Sequence, residues 1–161
     1  MGNAIGNIRW ASLGLGFVES LSESHDLVRA WRYGEIELKN GALHRIYPRW
    51  WPRIGSEWES MLDSYMRRLP DDVCRVFYAF PRSSPGFMSV LYAYSGRNTQ
   101  AKTLLLGVST VDEIAEIHQA KAIVCQATNA RLTERLMRRL GYVRHAHSLG
   151  PNHYIKRRTQ P

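Results

Sequence analysis

Residues 122–149 read AIVCQATNARLTERLMRRLGYVRHAHSL, and after a short loop residues 153–158 read HYIKRR. Ala122–Ala127 is a short apolar run bounded by polar residues, which predicts a buried strand. Leu132, Leu136 and Leu140 recur at steps of four. A helix starting at Thr128 or Asn129 and ending at Leu140 would turn all three to one inner face. Gly141 follows as the left-handed residue that closes such a helix. Tyr142–His147 and His153–Arg157 then read as two strands joined by Ser148–Asn152.

Working outward, Thr110-Val111-Asp112-Glu113 supplies a capping box for a helix of about ten residues that buries Ile114 and Ile117. Thr103–Val108 (TLLLGV) before it reads as a strand. Val73–Phe80 and Phe87–Tyr94 are rich in β-branched and aromatic residues, and the Pro81–Gly86 stretch between them, PRSSPG, fits a hairpin-type loop. Ser56 and Glu59 form a second capping box, followed by Trp58, Met61, Leu62, Tyr65 and Leu69 on one helical face until Pro70 stops the helix. Asn40-Gly41, between Ile36–Leu38 and Leu43–Tyr47, is a hairpin turn dipeptide. Residues 1–30 carry glycines and a polar stretch that predict loops or a frayed start.

The chain has 161 residues, of which 44% are hydrophobic and 22% charged, enough for one compact domain and too few for two ordinary ones. No run of about 18 apolar residues exists, so no membrane span is expected. The start lacks the features of a secretion signal or a myristoylation site. Cys74 and Cys125 both lie in apolar runs, so buried thiols in a cytoplasmic protein are expected rather than a disulfide or a zinc site. Of 22 basic and 14 acidic residues, Lys121–Pro161 holds nine basic and only Glu134 acidic, so the whole net charge of +8 falls in the last quarter. Such a field attracts polyanions.

The carboxyl-terminal segment resembles the GNAT superfamily of N-acyltransferases, in which a strand, an asparagine-containing turn, a helix ending in Leu-Gly-Phe/Tyr and two closing strands follow one another. Asn129, Leu136 and Leu140-Gly141-Tyr142 carry the match over about forty residues. The resemblance implies an α+β fold: one domain over residues 1–161, with a central mixed, largely antiparallel sheet flanked by helices. It also implies transfer of an acyl group from acyl-CoA, such as acetyl-CoA, to an amine acceptor, or a catalytically degenerate relative of such enzymes. By position, Arg97, Asn98, Thr99, Gln100, Lys102 and Asn129 are the expected cofactor-binding residues. The 97–102 stretch has no glycine after Gly96, and Met137 stands where the family often has a proton-donating tyrosine, so no catalytic residue is assigned.

Other residues have two readings each. Arg131, Arg135 and Arg138 share one ridge of the last helix, suited to the 3′-phosphate side of a CoA, a nucleic acid backbone or an acidic protein partner, or simply to the solvated face of an amphipathic helix. His145, His147 and His153 lie close together on paired strands, but no acidic or thiol ligand completes a metal site, and none is predicted. Arg49-Trp50-Trp51-Pro52-Arg53 interleaves aromatic and basic residues as single-stranded nucleic acid binders do, and equally as tryptophans packed on a neighbouring helix do.

Overall fold

The computed structural model describes residues 16–49, 71–127, 132–145 and 152–158. The expected 56–69 helix, the Trp50-Trp51 segment, Asn129, Arg131 and His147 lie outside them. The elements are α1 (His25–Ala30), β1 (Tyr33–Lys39), β2 (Ala42–Pro48), β3 (Val73–Ala79), β4 (Phe87–Ser95), α2 (Ala101–Ile117), β5 (Ala122–Gln126), α3 (Glu134–Arg139), β6 (Val143–Arg144) and β7 (His153–Arg157). The strands form one seven-stranded sheet in the order β2-β1-β3-β4-β5-β7-β6. Every neighbouring pair is antiparallel except β4–β5. The fold is therefore α+β with a mixed, largely antiparallel sheet. No helix among the described residues is long and apolar enough to cross a membrane.

Local chemistry sets several of these elements. Asn40 and Gly41 adopt φ of 52° and 71°, the two positive values a tight β1–β2 turn demands. Gly141 closes α3 with φ of 86°. The core lies between the sheet and α2, where Ile36, Leu38, Met88, Ile114 and Ile123 are wholly buried. From Gly16 onward the amino-terminal stretch packs on this core: Val18 bridges Ile46, and Val28 on α1 is fully buried.

Three expectations are corrected. Thr103–Val108 is not a strand, because α2 runs unbroken from Ala101 to Ile117. Its buried face is Thr103, Gly107, Thr110, Val111, Ile114 and Ala115, a helical spacing built largely from small residues. Gly107 allows the close approach: a Cβ there would lie 3.3 Å from Leu38 Cδ1. Thr110 does not cap a helix start either, since its hydroxyl donates to the Leu106 carbonyl at 2.8 Å inside the helix. The last helix begins later than its leucine spacing suggests, at Glu134, because Thr133 is the cap and its Oγ1 accepts from Leu136 N at 3.3 Å. Beyond β6 the pairing with β7 extends through His145 N to His153 O at 2.9 Å.

Candidate functional site

β4 and β5 run parallel and pair only from Phe87↔Ala122 to Val90↔Cys125. β4 continues for five more residues to Ser95, still paired on its other side with β3. The divergence has a local cause. Phe77 pairs with Tyr92 while the next residue, Tyr78, pairs with Val90, so Leu91 is an extra residue in β4. Such a bulge bends its strand and sharpens its twist. It falls immediately after the last β4–β5 pair, and the two strands fork there.

A cavity of about 140 Å³ occupies the fork on the α2 side of the sheet. Val90 and Cys125 form its closed end, Leu104 and Val108 of α2 one wall, and Leu136 and Leu140 of α3 the other. The leucines expected on the inner face of the last helix thus line a cleft. Leu105 stands at α2 beside it with half its surface exposed. Met137 and Tyr142 are buried along the same cavity. Burial, with the nearby Cys125, raises the Tyr142 hydroxyl above the ordinary tyrosine range, and the Lys156 ammonium sits 5.6 Å from its ring centroid. Burial also pushes the Cys125 thiol up to about 12.

The expected cofactor-binding residues gather where β4 hands over to α2, and they do different things there. Arg97 and Asn98 are exposed in the turn. Thr99 faces inward: it is buried, and its hydroxyl lies 2.8 Å from the Val73 carbonyl and 2.9 Å from the Gly96 carbonyl. It pins the turn to the sheet. Gln100 is the residue before the first turn of α2, and its amide donates to Asp72 Oδ1 at 3.0 Å. The Lys102 stem lies over the β1–β2 turn, about where a side chain on Gly41 would go, while Gly41 N donates to Thr103 Oγ1 at 2.9 Å. A carboxylate thus already stands at the helix start, among the expected cofactor-binding residues.

The basic ridge is partly neutralised. Glu134 pairs with Arg144 at 2.8 Å and Arg138 at 3.7 Å. Lys156 and Arg158 serve Asp112, at 2.7 Å and 3.9 Å. Arg135 is exposed. Among the described residues no group of three His, Cys, Asp or Glu side chains could hold a metal.

The opposite face of the sheet carries charges that alternation alone would have assigned to solvent. Glu35 and Glu37 are almost wholly buried beneath Arg49 and Arg75. Burial opposes ionisation of Glu37, yet the Lys39 hydrogen bond and the Arg75 charge outweigh it and hold the carboxyl below its usual value. Only a partner strand known in advance would have exposed this pairing in the sequence.

No protein-family model, curated protein or solved structure matches the chain.

Proposed function

We propose that the chain is a GNAT-type acyltransferase of the cytoplasm that moves an acyl group from an acyl-CoA to a primary amine. The forked pair β4–β5 with its apolar cavity is the observation that carries this reading. Two parallel strands that part at a bulge leave a groove edged by main chain. An extended ligand arm bearing amides of its own can be held there as a strand would be. The apolar walls take up its methylenes. At the fork, the amine lone pair attacks the thioester carbonyl, the C–N bond forms, the C–S bond breaks, and the proton lost by nitrogen ends on the thiol. Holding the two reactants together supplies most of the rate, and main-chain amides polarise the carbonyl.

The fit is better for the arm than for the phosphates. Asp72 opposes a diphosphate at the start of α2, and no glycine there brings the backbone close. Titration calorimetry with acetyl-CoA tests the reading. Binding with a Kd below about a millimolar is expected, and Val108→Phe, which fills the cavity, weakens it roughly tenfold or more. Absence of heat and of any melting shift at that concentration sinks the proposal.

The polyanion reading has less behind it. Arg138, Arg144, Lys156 and Arg158 already face carboxylates of the same chain. It would require nucleic acid binding that falls steeply with salt and is lost when Arg131, Arg135 and Arg138 become Glu.

A further inference from the structure

We infer that the acceptor carries a carboxylate, which sits between the guanidinium groups of Arg49 and Arg75 on the sheet face opposite α2. This inference rests on the acyltransferase reading for the word acceptor, and on independent geometry for the anion site.

A cavity of about 270 Å³ opens among Glu35, Tyr47, Pro48, Arg49 and Arg75. Both oxygens of Glu35 are occupied: Arg49 Nη2 donates to Oε2, and Arg75 Nη1 donates to Oε1 at 3.3 Å. Arg75 Nη2 reaches Glu37 Oε1 at 3.1 Å, and Tyr47 Oη donates to Glu37 Oε2 at 3.2 Å. The carboxylates have therefore been used as acceptors. The guanidiniums have not been used up as donors, since each carries five N–H bonds. Arg75 Nε is buried and has no hydrogen-bond partner. That nitrogen has no surface on the cavity, so an oxyanion there would be met by the remaining N–H bonds of the Arg49 and Arg75 terminal nitrogens, with Nε–H beside them as a reporter.

Glu35 acts as a positioning residue. Two guanidiniums repel each other, and a shared, 2% exposed carboxylate holds them side by side. Burial and the Arg75 charge together lower the Arg49 pKa, as expected of two cations forced close. Arg49, Arg75 and Lys39, the last 3.1 Å from Glu37, set three positive charges against the two negative charges of Glu35 and Glu37 and leave a single positive charge around the cavity. That matches a carboxylate better than a phosphate dianion.

The position relative to the fork sets the length of the ligand. Glu37, Arg75 and Tyr94 are cross-strand neighbours on β1, β3 and β4, as are Glu35, Phe77 and Tyr92. Phe77 and Tyr94 rings meet edge to face at 5.9 Å, and Arg49 lies 5.5 Å from the Phe77 centroid, so an aromatic floor joins the charges to β4. Two strand spacings, about 10 Å, separate Arg75 on β3 from β5, the far edge of the fork. Subtracting about 3 Å for the ion contact leaves roughly 7 Å between amine and carboxylate, the span of two extended residues.

Glycylglycine, glycylglycinamide and acetate are the probes, titrated into the protein without any acyl-CoA while the arginine Nε–H resonances are followed by NMR. Glycylglycine is expected to shift the Arg75 Nε–H signal and to bind at least about tenfold more tightly than its amide or acetate. Arg49→Gln, which leaves the Arg75 contacts of Glu35 in place, should remove that preference and leave the amide unaffected. Equal affinity for acid and amide, an unmoved Arg75 signal at saturation, acetate binding as tightly as the dipeptide, or an unchanged preference in Arg49→Gln would each overturn the inference. Because acyl-CoA is absent, failure of acetyl-CoA to bind in the separate calorimetry would leave the carboxylate site standing.

Discussion

Gly34 and Tyr78 face each other across β1 and β3, and their contact leaves no room for a methyl group. A Cβ on Gly34 would lie 2.3 Å from Tyr78 Oη and 2.4 Å from Cζ. Gly34→Ala should therefore lower stability by about 1–3 kcal/mol in urea melts. The Tyr78 hydroxyl is buried without a partner, so Tyr78→Phe should be neutral or stabilising in the same assay. His118 shows the same kind of constraint in its titration. Its ring stacks on Phe80 at 3.8 Å and its Nε2–H donates to the Val28 carbonyl at 3.0 Å. Burial outweighs that hydrogen bond and, with the Arg29 charge, holds the imidazole below its ordinary pKa. A lowered folded-state value means the unfolded chain binds the proton first. The related stability is present above about pH 6.5 and is lost as pH falls below it. Urea midpoints should fall over that range in the natural protein, and the fall should be shallower in His118→Gln.

Among the elements, the start of α2 separates two roles for one carboxylate. Asp72 favours the helix through its amino-terminal end and disfavours an anionic ligand at the same place. Asp72→Asn should lower stability by about 0.3–1 kcal/mol and tighten acetyl-CoA binding several-fold by calorimetry. Unchanged affinity would mean that the phosphates lie elsewhere. This element was also the least legible in the sequence. β3, β4, β5 and the Asn40-Gly41 turn are written in local chemistry, and the sequence announces them. The first half of α2 is not, because Thr103, Gly107 and Thr110 carry weak helix preference and are chosen for their small size against β1 and β3. The leucines of α3 were legible as one face, but whether that face meets a core or a cleft depends on where β4 leaves β5. That is a register between Val90 and Cys125, distant in sequence, and no local pattern encodes it.

At the scale of the molecule, one sheet separates two chemistries: an apolar cleft on the α2 side and a charged cluster on the other. The cleft was foreshadowed by its leucines, whereas the cluster was hidden, since Glu35-Ile36-Glu37-Leu38 alternates like a strand with one wet face. Arg75, 38 residues beyond Glu37, covers it. Both cysteines are free, one on β3 and one on β5, and burial pushes each thiol up to about 12. Neither should react with a thiol reagent at pH 8 in the folded protein, and both should react once urea unfolds it. Prompt labelling of the native state would show that the sheet opens near the fork.

The two ends of the sheet differ from its middle. At one end, Val18 N and O both bond to Ile46, so the outer side of β2 is partly occupied by the protein's own chain. At the other, β6 offers only two residues, one of them Arg144. Among the described residues, then, one rim is interrupted at Ile46 and the other is two residues long, and interrupted or short rims give a second copy less to stack on while the strands that part in the interior expose main chain to a ligand.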